Sequence, residues 1–347
     1  TSGVEHGNIT VNPDGTLALV LTQSDFIGAQ GFTYEATHAD GSTSSHDVTL
    51  NVTPGPQEDG WGTGENHYML ATDENDRVIV EHGENHTKVY VSGASDALTL
   101  ADIAAIEGMD VSDVTGRWLA ENGEYGQSED LALAQDAATA LWYQVTPEGS
   151  ETSNWLMLES GYEYGDLGRV FLKDTHGESE MNPLYFGAWG EGDKPVMTTI
   201  LKPIYDTTNL VVQGIHFTDG VKFQGTGENI ILDDVTLTQT GLVIMHHQGV
   251  TVRNSEFFDI HEEEPSNGET WDGVADRNQG IFANYNDGLL MEGNVLDLIG
   301  WEEGFDPEGD GSMPQPSSMF SHNLYIGHDN EDVTLRDTIS MRAASIA

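Results

Sequence analysis

Between Asn209 and Phe257 the hydrophobic and polar positions follow one pattern three times, and the pattern returns twice downstream. It reads NLVVQGIHF from Asn209, NIILDDVTL from Asn229, GVTVRNSEF from Gly249, GLLMEGNVL from Gly288 and DVTLRDTIS from Asp332, with starts separated by 20, 20, 39 and 44 residues. Each copy opens on a small or turn-forming residue, continues with alternating apolar residues and reaches Gly214, Asp234, Asn254, Gly293 or Asp337 at the same offset. The pattern predicts a strand followed by a tight turn. A second apolar pattern accompanies it, in VKFQGTGEN from Val221, LVIMHHQG from Leu242, IFANYNDG from Ile281 and LYIGHDNED from Leu324. Each repeat therefore holds two or three short strands, and a unit of about twenty residues must stack on its neighbours to bury its apolar face. The expected fold is all-β, a right-handed parallel β-helix with Val212, Leu232, Val252, Met291 and Leu335 in one stacked column. Ordinary sandwich strands with turn signals are the alternative reading of the same runs.

The rest of the chain divides around this stretch. Residues 1–55 hold alternating runs (NITV, TLALVL, GFTYEAT, HDVTLNV) separated by NPDG and HADGS turn signals, which predicts a small β-sandwich. Residues 56–63, following Thr53-Pro54-Gly55, read as a linker. Residues 64–150 read as a small mixed α/β cap. It contains strands RVIVEHG and KVYVSG, a helix from Thr99 to Glu107 with a Thr99-to-Asp102 capping box and Gly108 as its stop, and a second helix from Ser112 to Asn122. Residues 151–347 are the expected β-helix. Both ends read as cuts within a longer polypeptide, because the chain opens on Thr1 and stops at Ala347 in the middle of a repeat.

Charge narrows the partners. Twelve Lys and Arg against 59 Asp and Glu give a formal net charge of −47, which repels nucleic acid and anionic membranes. The two short helices joined by GMDV are thus a poor DNA reader. The chain has no cysteine, so disulfides and thiolate metal sites are excluded. Such acidity suits a salty exterior or bound Ca²⁺.

Two stretches carry resemblances. NPDGTLALVLTQSDFIGAQGFTYEATHADGSTSSHDVTLNV resembles the cadherin-like (Ig-like) tandem repeats of large secreted bacterial proteins. The resemblance implies a spacer domain, often stiffened by Ca²⁺, with Asp25 and Asp40 at acidic positions of the pattern. SNWLMLESGYEYGDLGRVFLKDTHGESEMNPLYFGAWGEGDKPVMTT is similar to the first coils of parallel β-helix polysaccharide lyases and uronan epimerases, above all in YFGAWGEGDKPVM. That resemblance extends over residues 153–347 and implies an extracellular, cell-surface or virion location and a polysaccharide or surface glycan as partner.

Candidate chemistry gathers where the repeats are interrupted. Residues 258–279 and 297–322 are interposed at one corner of two successive repeats, which predicts two loops standing side by side over a groove. Trp271 and Trp301 offer flat faces for sugar rings, and Asn278, Asn284, Asn323, His246 and His247 offer hydrogen-bonding groups. Proton abstraction beside a uronate carboxylate needs a base, an acid and a cation. His322 and Tyr325 are candidates for the first two and Arg277 for the third. The resemblance implies a Lys and Arg pair, whereas Lys222 is expected away from the long loops. Asp272, Asp276, Glu303 and Asp306 can supply oxygen ligands for Ca²⁺. Three functions stay open: a lyase or epimerase acting on a uronic-acid glycan, a non-catalytic tail spike, fibre or giant-adhesin module binding surface glycan, and a structural filament or matrix protein, any of them oligomeric.

Overall fold

The computed structural model describes residues 7–11, 17–21, 28–37, 41–52, 70–165, 167, 170, 174–203, 206–262, 277–305 and 315–345. The chain divides into two compact units, residues 1–56 with 69–79, and residues 57–68 with 80–347. In the first unit, Gly7–Val11 pairs antiparallel with Leu17–Leu21, and Gly28–Thr37 pairs antiparallel with Thr43–Val52. These pairs are separate two-stranded sheets. The run around Arg77 forms no strand and contributes only an antiparallel bridge between Thr72 and Val78.

The second unit is built on three parallel sheets. Eight strands form the first sheet, ordered Lys88–Val91, Trp155–Glu159, Leu184–Trp189, Thr207–Gln213, Gly227–Asp233, His247–Arg253, Asp287–Glu292 and Glu331–Arg336. Seven shorter strands form the second, from Glu163–Tyr164 to Ile339–Ala343. The third has four: Val221–Phe223, Leu242–Met245, Gln279–Asn284 and His322–Ile326.

The expected fold class, all-β with a right-handed parallel β-helix, an Ig/cadherin-like sandwich and a small cap, is corrected by this partition. Among the described residues the strands fall into separate parallel sheets of eight, seven and four with two antiparallel pairs and three α-helices, an α/β-like layout rather than a β-helix solenoid. A uniform solenoid adds one strand to every sheet at each repeat. Here the third sheet has half the membership of the first, and all three helices lie between the first two strands of the first sheet.

Helix α1 (Leu100–Glu107) carries the expected Thr99 capping box, and left-handed Gly108 (φ 68°) ends it. Helix α2 (Gly116–Glu121) is shorter than its sequence suggests. Val111–Asp113 forms a separate 3₁₀ turn, and Thr115 caps α2 by accepting a bond from the Trp118 N–H. Helix α3 (Gln135–Val145) carries a weaker sequence signal, because its Ala134 N-cap makes no side-chain bond. It is fixed by burial of Ala137, Ala138, Leu141 and Trp142, whose indole N–H donates to the Val170 carbonyl. No helix among the described residues is long and apolar enough to cross a membrane.

The repeat spacing is explained by backbone conformation. Asn209, Asn229, Gly249, Gly288 and Asp332 open the five copies with φ of 54°, 59°, 64°, 73° and 46°. Gly214, Asp234, Asn254, Gly293 and Asp337 close them with φ of 70°, 54°, 50°, 66° and 50°. Only Gly, Asn and Asp adopt this left-handed region at little cost, so the punctuating residues are those the turns require. Between the punctuation, register pairs Val212 with Leu232, Leu232 with Val252, Val252 with Met291 and Met291 with Leu335. The first four are fully buried, and each stabilises the fold by about 1.5–3 kcal/mol relative to exposure. Val211, Ile231, Thr251 and Leu290, on the opposite face of the same strands, are equally buried. The strands thus read as continuous apolar runs rather than clean alternation, as parallel sheets covered on both faces do.

A polar ladder crosses the first sheet in the same register. The Tyr185 hydroxyl donates to Gln213 Oε1 (2.8 Å), and Gln213 Nε2 donates to Asp233 Oδ2 (2.8 Å). Arg253 lies 3.6 Å from Asp233 and 3.8 Å from Glu292, and Arg336 Nε donates to Glu292 (2.7 Å). The Asp233 and Arg253 side chains are fully buried. The corners are closed by side chains as well. Ser255 N–H donates to Asn294 Oδ1, His247 N–H to Asn286 Oδ1 and Asn286 N–H to Asn330 Oδ1, so buried backbone donors at the turns are satisfied.

Candidate functional site

The third sheet presents one outward column. Register aligns Lys222 with Val243, Val243 with Phe282 and Phe282 with Tyr325. The neighbouring positions Val221, Leu242 and Ile281 are fully buried in the core, so the strand's two-residue period sends this column the other way. An open cavity of ≈ 520 Å³ lies over it and is lined by Lys222, Phe282, His322 and Tyr325 from the sheet and by Glu262, Arg277 and Asn278 from the adjoining segments. The Phe282 and Tyr325 rings are 5.4 Å apart and 5° from parallel, and the His322 ring lies 5.4 Å from Tyr325.

Backbone and amide bonds hold these groups. The His322 N–H donates to Gln279 Oε1 (3.2 Å), while Gln279 Nε2 donates to the Phe320 carbonyl. The Arg277 guanidinium lies 4.3 Å from the centre of the Phe320 ring, a cation–π contact at the cavity rim. Gln315, almost fully buried, accepts from the Glu262 N–H and donates to the Gly300 carbonyl. The Asn278 amide lies 3.2 Å from Gln315 Oε1, and the Asn278 N–H donates to buried Ser321 Oγ (3.2 Å). Gln315 and Ser321 thereby fix the corner between second and third sheets.

The candidates from sequence are distributed unevenly. Arg277, Asn278, His322 and Tyr325 share the cavity. Lys222, expected away from the long loops, lies in the same cavity, and its place in the aligned copies (second letter of VKF, LVI, IFA and LYI) is the signal that finds it. Phe282 follows from the same alignment.

Other candidates stand elsewhere. Asn323 is fully buried and its Nδ2 donates to Leu296 O (3.2 Å), Ser340 Oγ (3.0 Å) and Met341 O (2.7 Å), tying the third sheet to the second. Asn284 is also buried, 8% exposed. His247 is buried, its Nδ1 is 2.7 Å from the Met245 carbonyl, and burial holds its imidazole below the ordinary histidine pKa. His246 is exposed and stacks on Tyr285 with ring centres 4.8 Å apart. Trp301 Nε1 donates to the Arg342 carbonyl (2.8 Å), so its indole braces the end of the second sheet. Trp271, Asp272, Asp276 and Asp306 lie outside the described residues.

Of the four carboxylates expected to bind Ca²⁺, Glu303 is the described one. It is 74% exposed and 3.7 Å from Arg342. Among the described residues, no group of three or more His, Asp or Glu converges as a metal ion needs. Comparison of the chain with protein-family models, with curated proteins and with solved structures yields no match, and the function has to be argued from the cavity itself.

Proposed function

We propose that the cavity binds a uronic-acid-containing polysaccharide and abstracts the proton beside its carboxylate, as a lyase or an epimerase does. The observation that carries this reading is the pairing of Lys222 and Arg277 with His322 and Tyr325 around one open space, in a chain whose net charge is −47. Two cations converging there oppose the general field of the molecule and favour an anionic group of the ligand.

In this reading Lys222 and Arg277 neutralise the sugar carboxylate, which lowers the barrier to forming the carbanion-like species next to it. His322 takes the proton from the carbon bearing the carboxylate. In elimination the electron pair forms the C4–C5 double bond, the C4–O bond breaks, and the Tyr325 phenol protonates the departing oxygen. In epimerisation Tyr325 instead returns a proton to the opposite face. The N-terminal unit serves as a spacer, and the protein acts outside the cell, at a cell surface or on a virion.

Incubation with a panel of uronans distinguishes the outcomes. Elimination gives the ultraviolet absorbance of a conjugated double bond, and epimerisation in D₂O gives deuterium at C5. His322→Ala should abolish either signal while retaining binding. Lys222→Ala and Arg277→Ala should weaken binding itself. Glycan binding by the wild type without either signal would assign the cavity to adhesion rather than catalysis, and no binding to any uronan would sink the reading.

A further inference from the structure

Beyond the cavity, the third sheet ends in a second group of rings. His246 and Tyr285 follow the strands Leu242–Met245 and Gln279–Asn284, and their rings stack 4.8 Å apart and 5° from parallel. Both are exposed, Tyr285 at 43%. Both residues also occupy the left-handed region, with φ of 60° and 59°. At the other turns of the first sheet that conformation falls to Asn, Asp or Gly, which adopt it cheaply. A tyrosine there is strained, as are Gln239 and Leu298 elsewhere, and such strain is found at ligand-binding sites.

The platform is continuous with the cavity. A Cβ placed on Gly327 would come 1.9 Å from Asn284 Oδ1 and 2.8 Å from the Tyr325 ring, so this glycine leaves the cavity's tyrosine and the residue before Tyr285 side by side. Asn284 Oδ1 is buried and has no hydrogen-bond partner among the described residues. From Phe282, in the cavity floor, to Tyr285 the strand covers about 10 Å at roughly 3.3 Å per residue.

We infer that the His246–Tyr285 pair is a distal stacking subsite for a pyranose ring of the same glycan chain, beyond the sugars held in the cavity. The inference rests on the cavity reading and adds a length requirement to it. A dimer fills the cavity alone, whereas an octamer reaches both places. The exposed ring face supplies apolar contact to the sugar and is indifferent to the charge of that unit.

The test uses a uronate dimer and octamer of one polymer, titrated calorimetrically into the wild type, Tyr285→Asn and His246→Asn, with melting curves alongside. The octamer should bind the wild type more tightly than the dimer. Either substitution should reduce octamer affinity roughly three- to tenfold, leave the dimer unchanged, and keep or raise the melting temperature because Asn accepts the left-handed backbone. Equal octamer affinity in wild type and variants would overturn the subsite. So would equal losses for dimer and octamer, or no octamer advantage in the wild type, while dimer binding that still depends on Lys222 would leave the cavity reading standing. Failure of both oligomers to bind the wild type would remove the cavity reading and the subsite with it.

Discussion

The first and third sheets both carry charged side chains in register, and they treat them in opposite ways. In the first sheet Asp233, Arg253, Glu292 and Arg336 alternate in sign along one column, and the Asp233 and Arg253 side chains are fully buried. In the third sheet Lys222 heads a column that otherwise holds Val243, Phe282 and Tyr325, and Arg277 faces the same space from the preceding segment. The buried ladder uses each charge to neutralise the next, so it serves stability and register. The open column carries one charge, Lys222, which shares its cavity with Arg277 and Glu262 and has no ion-pair partner among the described residues. Pairing in register therefore marks the structural sheet, and a cation left unpaired in its column over an aromatic floor marks the one suited to a ligand.

Breaking the ladder should have the largest effect. Arg253→Met leaves Asp233 buried without its cation and is expected to destabilise the protein by about 3–5 kcal/mol, measured by urea unfolding. Replacing Asp233 and Arg253 together by apolar residues should be much less damaging, since the exposed cost is that of the orphaned charge. Lys222→Ala and Arg277→Ala should instead leave the unfolding midpoint almost unchanged and each weaken uronan binding by about tenfold or more, from a charge-assisted contact of about 1.5–3 kcal/mol. A large stability loss at Lys222 with unchanged binding would reverse the assignment of the two sheets.

The pH response sharpens the same contrast. His86, His216 and His247 are held below the ordinary histidine range, burial being the largest cause in each. The unfolded chain takes up protons near pH 6.5 that these folded imidazoles refuse. Their contribution is therefore complete above about pH 6.5 and is lost as pH falls through the lowered folded values. Melting temperature should decline on acidification in that window, and His247→Gln should flatten the decline. An equal decline in the variant would assign the acid sensitivity elsewhere. At the small end, Arg336→Ala removes the half-exposed end of the ladder and should change stability by no more than about 1 kcal/mol.

Much of the strand pairing was legible because one physical requirement recurs in the sequence. Left-handed turns at both ends of the long strand admit few residue types, so Asn209, Asn229 and Gly249, with Gly214, Asp234 and Asn254, announce the register from their spacing alone. Sheet membership was less legible. The helices between Val91 and Trp155 and the reduced third sheet follow from tertiary packing, and α3 lacks the capping signal that made α1 readable. In the site, residue type misled where burial decides. Asn323 and His247 look like ligand-binding groups in the sequence but are buried, with Asn323 Nδ2 and His247 Nδ1 bonded to backbone carbonyls, since amides and imidazoles close turns as readily as they hold sugars. Gln315, which holds Glu262 in place, lies within an irregular segment that no periodicity reaches.

The twenty-residue interval also gives the chain a reading frame. Excising residues 229–248 joins Glu228 to Gly249 and brings Val252 beside Val212, a substitution the apolar columns accept without a mismatch. The polar ladder does not accept it, because Arg253 then meets neutral Gln213 where Asp233 stood and loses one of its two carboxylate partners. The oily positions make the levels interchangeable parts, while the charges act as serial numbers that fix the order of assembly. A shortened or duplicated protein should therefore fold well only when an acidic and a basic level are removed or inserted together.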